Sequence, residues 1–177
     1  MRNIVLTFGL IAGAIMAAMM LLTIPFQDQI GFERGAVIGY TTMVLAFLMI
    51  YFGVRSYRDT VAGGRVSFGR ALVVALAIMA VAICCYVATW ELIYYQLMPD
   101  FGDQYATFIL EKERSSGATE AEIAARAAEM ARFQEMYRNP LVNIAFTFLE
   151  PLPIGLLFAL VSAGILSWKR KPQPSGT

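Results

Sequence analysis

Two acids stand where a chain this apolar has least use for them. Glu150 lies about ten residues into the apolar stretch that begins at Leu141, or roughly 15 Å along a helix axis. An acid near mid-membrane costs on the order of 3 kcal/mol on insertion scales, and no lysine or arginine inside an apolar stretch can pair with it. Pro151 has no N–H, so the carbonyl of Thr147 loses its helix partner; Pro153 does the same to the carbonyl of Leu149. Two freed carbonyls beside a carboxyl make a donor set for a proton or a cation, as in the broken helices of transporters. The plainer reading is a proline kink whose freed groups are met by Thr147, a neighbouring helix or water. Glu91 is the second acid, about 10 Å in from Met98. Beside it, Tyr86, Trp90 and Tyr94 form a ladder four residues apart on a neighbouring face, with Tyr95 one turn beyond Glu91. A functional pairing has Glu91 and Glu150 share a proton or one cation; otherwise Glu91 reaches outward among interfacial aromatics.

Other chemistries lack their residues. The chain has no histidine, which removes Ser-His-Asp and Cys-His catalysis, the HExxH zinc site and haem ligation by His. Its two cysteines, Cys84 and Cys85, are adjacent within an apolar run, a spacing that suits packing and neither a disulfide nor a metal motif. Gly64 and Gly69 flank a turn without the Lys-Ser/Thr of a phosphate loop. A formal net charge of +1 gives no global field toward nucleic acid. We expect no enzyme, no bound metal or cofactor and no nucleic-acid partner.

The elements that must position these acids are membrane spans. Of 177 residues, 58% are hydrophobic and 15% charged, against roughly 45–50% and about 25% in soluble domains. The apolar excess falls in four blocks, 4–24, 36–54, 71–93 and 141–168. The first covers roughly 31 Å, enough to cross the hydrocarbon core. It exceeds the roughly 7–15 residues of a signal-peptide core, so we expect an uncleaved anchor. The third extends as helix toward Met98, and the fourth, about 42 Å if straight, must tilt, kink or protrude. Trp168 stands as an interfacial anchor before Lys169, Arg170 and Lys171. The sequence predicts one all-α membrane domain over 1–177: a four-helix bundle with an extracytoplasmic helical hairpin between spans three and four.

Arg55, Arg58, Arg65 and Arg70 crowd the 55–70 connection against one acid, Asp59. Arg2 and Lys169–Lys171 fall on the same side, and the 26–34 and 99–140 connections are poor in net positive charge, so both termini are expected in the cytoplasm. The four arginines are also candidate contacts for anionic lipid headgroups; setting topology is their plainer role. Within 99–140, Thr119 and Glu122 have capping-box spacing, and Ile123, Ala127, Met130, Phe133 and Tyr137 form an apolar stripe. Glu122–Arg126, Glu129–Arg132 and Glu135–Arg138 are spaced to pair, and a shorter helix is predicted over 103–114. The stripe either docks a partner or ligand, or rests on the membrane surface or the outer end of the bundle. Small residues recur four apart in Gly9-Gly13-Ala17, Gly35-Gly39 and Gly155-Ala159-Ala163, where helix backbones can approach closely.

The stretch from Tyr51 to Asp59 (YFGVRSYRD) and the stretch from Gly64 to Leu72 (GRVSFGRAL) resemble the bacterial family called domain of unknown function 4199. Trp90-Glu91, Asn139-Pro140 and the run from Glu150 to Gly155 match it in the same order. The resemblance implies a four-helix protein of the cytoplasmic (inner) membrane of a Gram-negative bacterium and implies no activity. We therefore expect a non-enzymatic membrane module that binds lipid, another membrane protein or its own copies. The alternative is a small proton- or cation-coupled transporter or channel subunit using Glu150 and Glu91.

Overall fold

The computed structural model describes residues 1–167, and these residues contain no strand. The Trp168 anchor and the Lys169–Lys171 cluster lie outside the described residues. The helices are α1 (Arg2–Thr23), α2 (Gln27–Thr60), α3 (Phe68–Leu92), α4 (Phe101–Ser115), α5 (Glu120–Tyr137), α6 (Pro140–Leu149) and α7 (Leu152–Ser167). A 3₁₀ turn at Ile24–Phe26 joins α1 to α2, and a π turn at Ile93–Leu97 follows α3.

Three stretches are long and apolar enough to cross a membrane: Arg2–Thr60, Phe68–Leu97 and Pro140–Ser167. The first, at 59 residues, would be roughly 88 Å long if straight. It instead doubles back, and α1 packs along α2. Pro25 sits in the 3₁₀ turn, and Gly31 takes φ 71°, ψ 164°, a region essentially closed to residues with a Cβ. The helix proper of α2 resumes beyond Gly31, so its apolar face starts near Phe32.

Helix α3 is the hub, packed against α1, α2 and α7. Its core residues Val74, Ile78, Ala82 and Ile83 are fully buried, as are Phe47 and Ile50 of α2 and Ala159 and Ala163 of α7. Small residues make this closeness possible. A Cβ on Gly9 would stand 2.6 Å from the Val81 Cβ, and one on Gly155 would stand 2.7 Å from the Met79 sulfur. The Gly9-Gly13 and Gly155-Ala159-Ala163 repeats thus serve contacts inside one chain. Gly35-Gly39 does not: a Cβ on Gly39 meets nothing within 4 Å.

Helices α4 and α5 run antiparallel, with Gly117 at φ 87° in the turn between them. The Gln134 amide donates to the Gly102 carbonyl at 2.6 Å, tying the start of α4 to the end of α5. Thr119 and Glu122 form the expected capping box. That contact claims the Glu122 carboxylate, so the predicted Glu122–Arg126 pair gives way to Arg126–Glu129 at 2.6 Å. Asn139 caps α6 by accepting from the Leu141 N–H, with Pro140 in the first turn.

The close packing sets an expected outcome. Gly9→Leu should destabilise the fold by about 1–3 kcal/mol through overpacking, whereas Gly164→Ala, whose Cβ meets nothing within 4 Å, should be close to neutral. Reversible unfolding of the two variants in mixed micelles measures both.

Candidate functional site: a roofed chamber at one end of the bundle

Beyond the tightly packed half, the helices part around a chamber of about 480 Å³. From α3 it receives Tyr86 and Trp90, which share a face because residues four apart stack along a helix, and from the π turn that follows it receives Tyr94. From α1 come the thioethers of Met16, Met19 and Met20, and from α2 come Thr42 and Met43. Gly35 and Gly39 also line it, so their spacing leaves room instead of joining helices.

The roof is α4 and α5. Phe101 and Tyr105 of α4 and Met130, Phe133 and Tyr137 of α5 face the chamber. Phe32 anchors α4 through ring contacts to Phe101, Tyr105 and Phe108 at centroid distances of 5.7, 5.4 and 5.1 Å. Trp90 meets Phe101 edge-on at 4.9 Å, and Tyr94 meets Tyr137 at 5.4 Å. Such edge-to-face pairs each add about 0.5–1.5 kcal/mol beyond burial. The apolar stripe of α5 is therefore spent on the end of the bundle.

At the floor, the Tyr86 hydroxyl donates to Glu150 Oε2 at 2.7 Å. Glu150 is placed there by the break between α6 and α7: Pro151 is buried in the break, while Pro153 is exposed on α7. Glu150 itself keeps substantial exposure, consistent with a carboxyl that has one protein partner and free acceptor capacity. A second polar chain links α3, the roof and α6. The Trp90 N–H donates to the Tyr137 oxygen at 3.1 Å, the Tyr137 and Thr147 oxygens lie 3.3 Å apart, and Thr147 donates to Asn143 Oδ1 at 3.2 Å. Each hydroxyl has one proton, so Thr147's donation to Asn143 makes Tyr137 the donor to Thr147. Burial pushes the Tyr137 phenol up from its ordinary value, keeping that proton in place. Asn143 is fully buried, and its Nδ2 has no hydrogen-bond partner among the described residues.

The residues singled out from sequence divide cleanly. Glu150, Tyr86 and Trp90 meet at the chamber; Thr147 supports it from behind through Tyr137. Glu91 does not line it. Five residues past Tyr86, it is turned about 140° around α3, and its Oε1 is buried with no hydrogen-bond partner among the described residues. Arg55, Arg58, Arg65 and Arg70 lie at the opposite end of α2 and α3, where Asp59 takes Arg58 at 2.7 Å and Arg55 at 3.8 Å. Sequence reasoning missed the methionines of α1 and Asn143; of its readings of the outer stripe, rest on the outer end of the bundle is the one the contacts match. The signal present for the roof was the run Phe101, Tyr105, Phe108, a helical stripe on α4 that needed a cover.

The chain matches, over residues 7–167, the family described as "Protein of unknown function (DUF4199)". No curated protein and no solved structure matches it.

The floor contact has a measurable energy. In a double-mutant cycle on unfolding, Tyr86→Phe and Glu150→Ala should couple by about 1 kcal/mol. Strict additivity of the two changes would show that the hydrogen bond contributes nothing to the fold.

Proposed function

The chain belongs to the DUF4199 family, and from that premise we propose that it is a non-enzymatic membrane module whose chamber holds a small lipophilic molecule drawn from the bilayer. The chamber itself carries the proposal. At about 480 Å³ it lies within the roughly 300–1,000 Å³ of small-molecule sites, which pair apolar walls with a few placed polar groups. Methionine thioethers suit such a role because they repack around ligands of different outline.

In this reading the doubled-back Arg2–Thr60 stretch crosses the bilayer twice, giving four crossings in all. From Phe32 to Arg55 is about 35 Å of helix, close to the hydrocarbon thickness of about 30 Å. The arginine-rich connection and both termini then lie in the cytoplasm, and the roof is extracytoplasmic. The resemblance of the chain to its family supports the inner membrane of a bacterium as the location. A second reading, a proton- or cation-coupled transporter, is favoured by the floor carboxyl and draws on Glu150 alone, since Glu91 faces elsewhere. Proton flux in proteoliposomes that Glu150→Gln abolishes would favour it over retention of a ligand.

The binding reading has a variant suited to it. Gly39→Leu meets no obstacle to its Cβ and should leave stability unchanged or raise it by up to about 1 kcal/mol, yet its side chain fills the chamber. A diazirine-bearing aliphatic alcohol should photolabel chamber residues such as Met43 and Met130 in the wild type and lose that labelling in Gly39→Leu. Equal labelling of the two proteins overturns the reading. For topology, in a background of Cys84→Ser and Cys85→Ser, a single cysteine at Ser115 should react with a membrane-impermeant maleimide on intact cells. One at Ser67 should react only after lysis.

A further inference from the structure

We propose that the chamber selects lipophilic cations, an organic ammonium group on an apolar body, with Glu150 as the counter-charge. The inference rests on the reading of the chamber as a lipophile site and names the class of ligand it takes. The lining contains one carboxyl, Glu150, and no lysine or arginine. Tyr86 occupies Glu150 Oε2, which leaves Oε1 with its acceptor sites open to a donor or a positive charge in the chamber. The same chamber is lined by the rings of Trp90, Tyr94, Phe101, Tyr105 and Tyr137, and the negative faces of such rings attract a desolvated cation, tryptophan most strongly. Charge and rings thus act with the same sign. A carboxylate ligand meets repulsion from Glu150 and from the ring faces. An alcohol can donate a hydrogen bond to Glu150 but gains neither attraction.

The polar side chains of the chamber rule out a simpler division of labour. The Trp90 N–H is already given to Tyr137, and the Tyr137 proton to Thr147. These two donors are committed within the protein, so beside them a ligand meets the free acceptor oxygen of Glu150 and the ring faces. That is the complement of an ammonium group.

The test compares three ligands with a common chain: dodecyltrimethylammonium, dodecanol and dodecanoate. Each is titrated calorimetrically into the full-length protein in zwitterionic nanodiscs, with empty discs subtracted. The ammonium should bind saturably and roughly tenfold tighter than the alcohol, with the carboxylate weakest. Glu150→Gln removes the counter-charge and should weaken ammonium binding severalfold, with the ring faces keeping the remainder of its advantage; an unchanged ammonium affinity would overturn the role of Glu150. If that variant does not fold, the wild-type ranking decides alone. Equal affinities for ammonium and alcohol, or tightest binding of the carboxylate, overturn the cation inference while the lipophile reading stands. No saturable binding of any of the three overturns both.

Discussion

Close approach of backbones along α3 governs the rest of the molecule. In lipid there is no hydrophobic gain from pressing two apolar helices together, so association relies on dispersion and on how near the backbones can come. Gly9 against Val81 and Gly155 against Met79 supply that nearness on two sides of α3. Toward its other end the same helix changes character, from Val, Ala and Ile to Tyr86, Trp90 and Tyr94. Rings of that size hold the neighbours apart. One helix therefore seals half of the bundle and props open the other half, and the chamber follows from the order of small and large residues along it.

The acid at the floor is tolerable because of where the fourth apolar stretch breaks. The Pro151 break sets it against the Tyr86 hydroxyl, so a carboxyl that costs insertion energy meets a donor from another helix. Asn143 and Thr147 on α6 extend the same provision toward the roof. Two of the four buried polar side chains among the described residues, Asn143 and Thr147, thus stand together on α6 behind the chamber wall.

Much of this was legible in the sequence, and the remainder was hidden for definite reasons. The apolar blocks, the Thr119–Glu122 cap and the Asn139-Pro140 start of α6 are local, and each has a local signature. Glu150 and the proline break were equally plain. Two things were not. Counting residues gives depth and relative azimuth within one helix but not which face of α3 meets α6, so the pairing of Glu91 with Glu150 stayed one of two readings until the packing of α3 was known. The length of α2 was also obscured, because its apolar run ends at Val54 while its helix continues through the arginines to Thr60. Finally, the cover over Phe101, Tyr105 and Phe133 depends on how Gly31 and the π turn aim the chain. The stripes on α4 and α5 have local patterns, but what each one meets does not, because those contacts join segments far apart in sequence.

The roof is docked by rings more than by charge. Its one ion pair to the bundle among the described residues, Lys112 to Glu33 at 2.6 Å, joins two side chains that are both more than half exposed. Exposed pairs of this kind are screened by salt and contribute little. Phe32, by contrast, engages three rings of α4 at once, and those contacts respond to neither salt nor pH. Because Phe32 directly follows Gly31, the backbone break that lets α2 double back also presents the ring on which the roof rests. The turn between the first two helices and the closure of the chamber are therefore one structural feature.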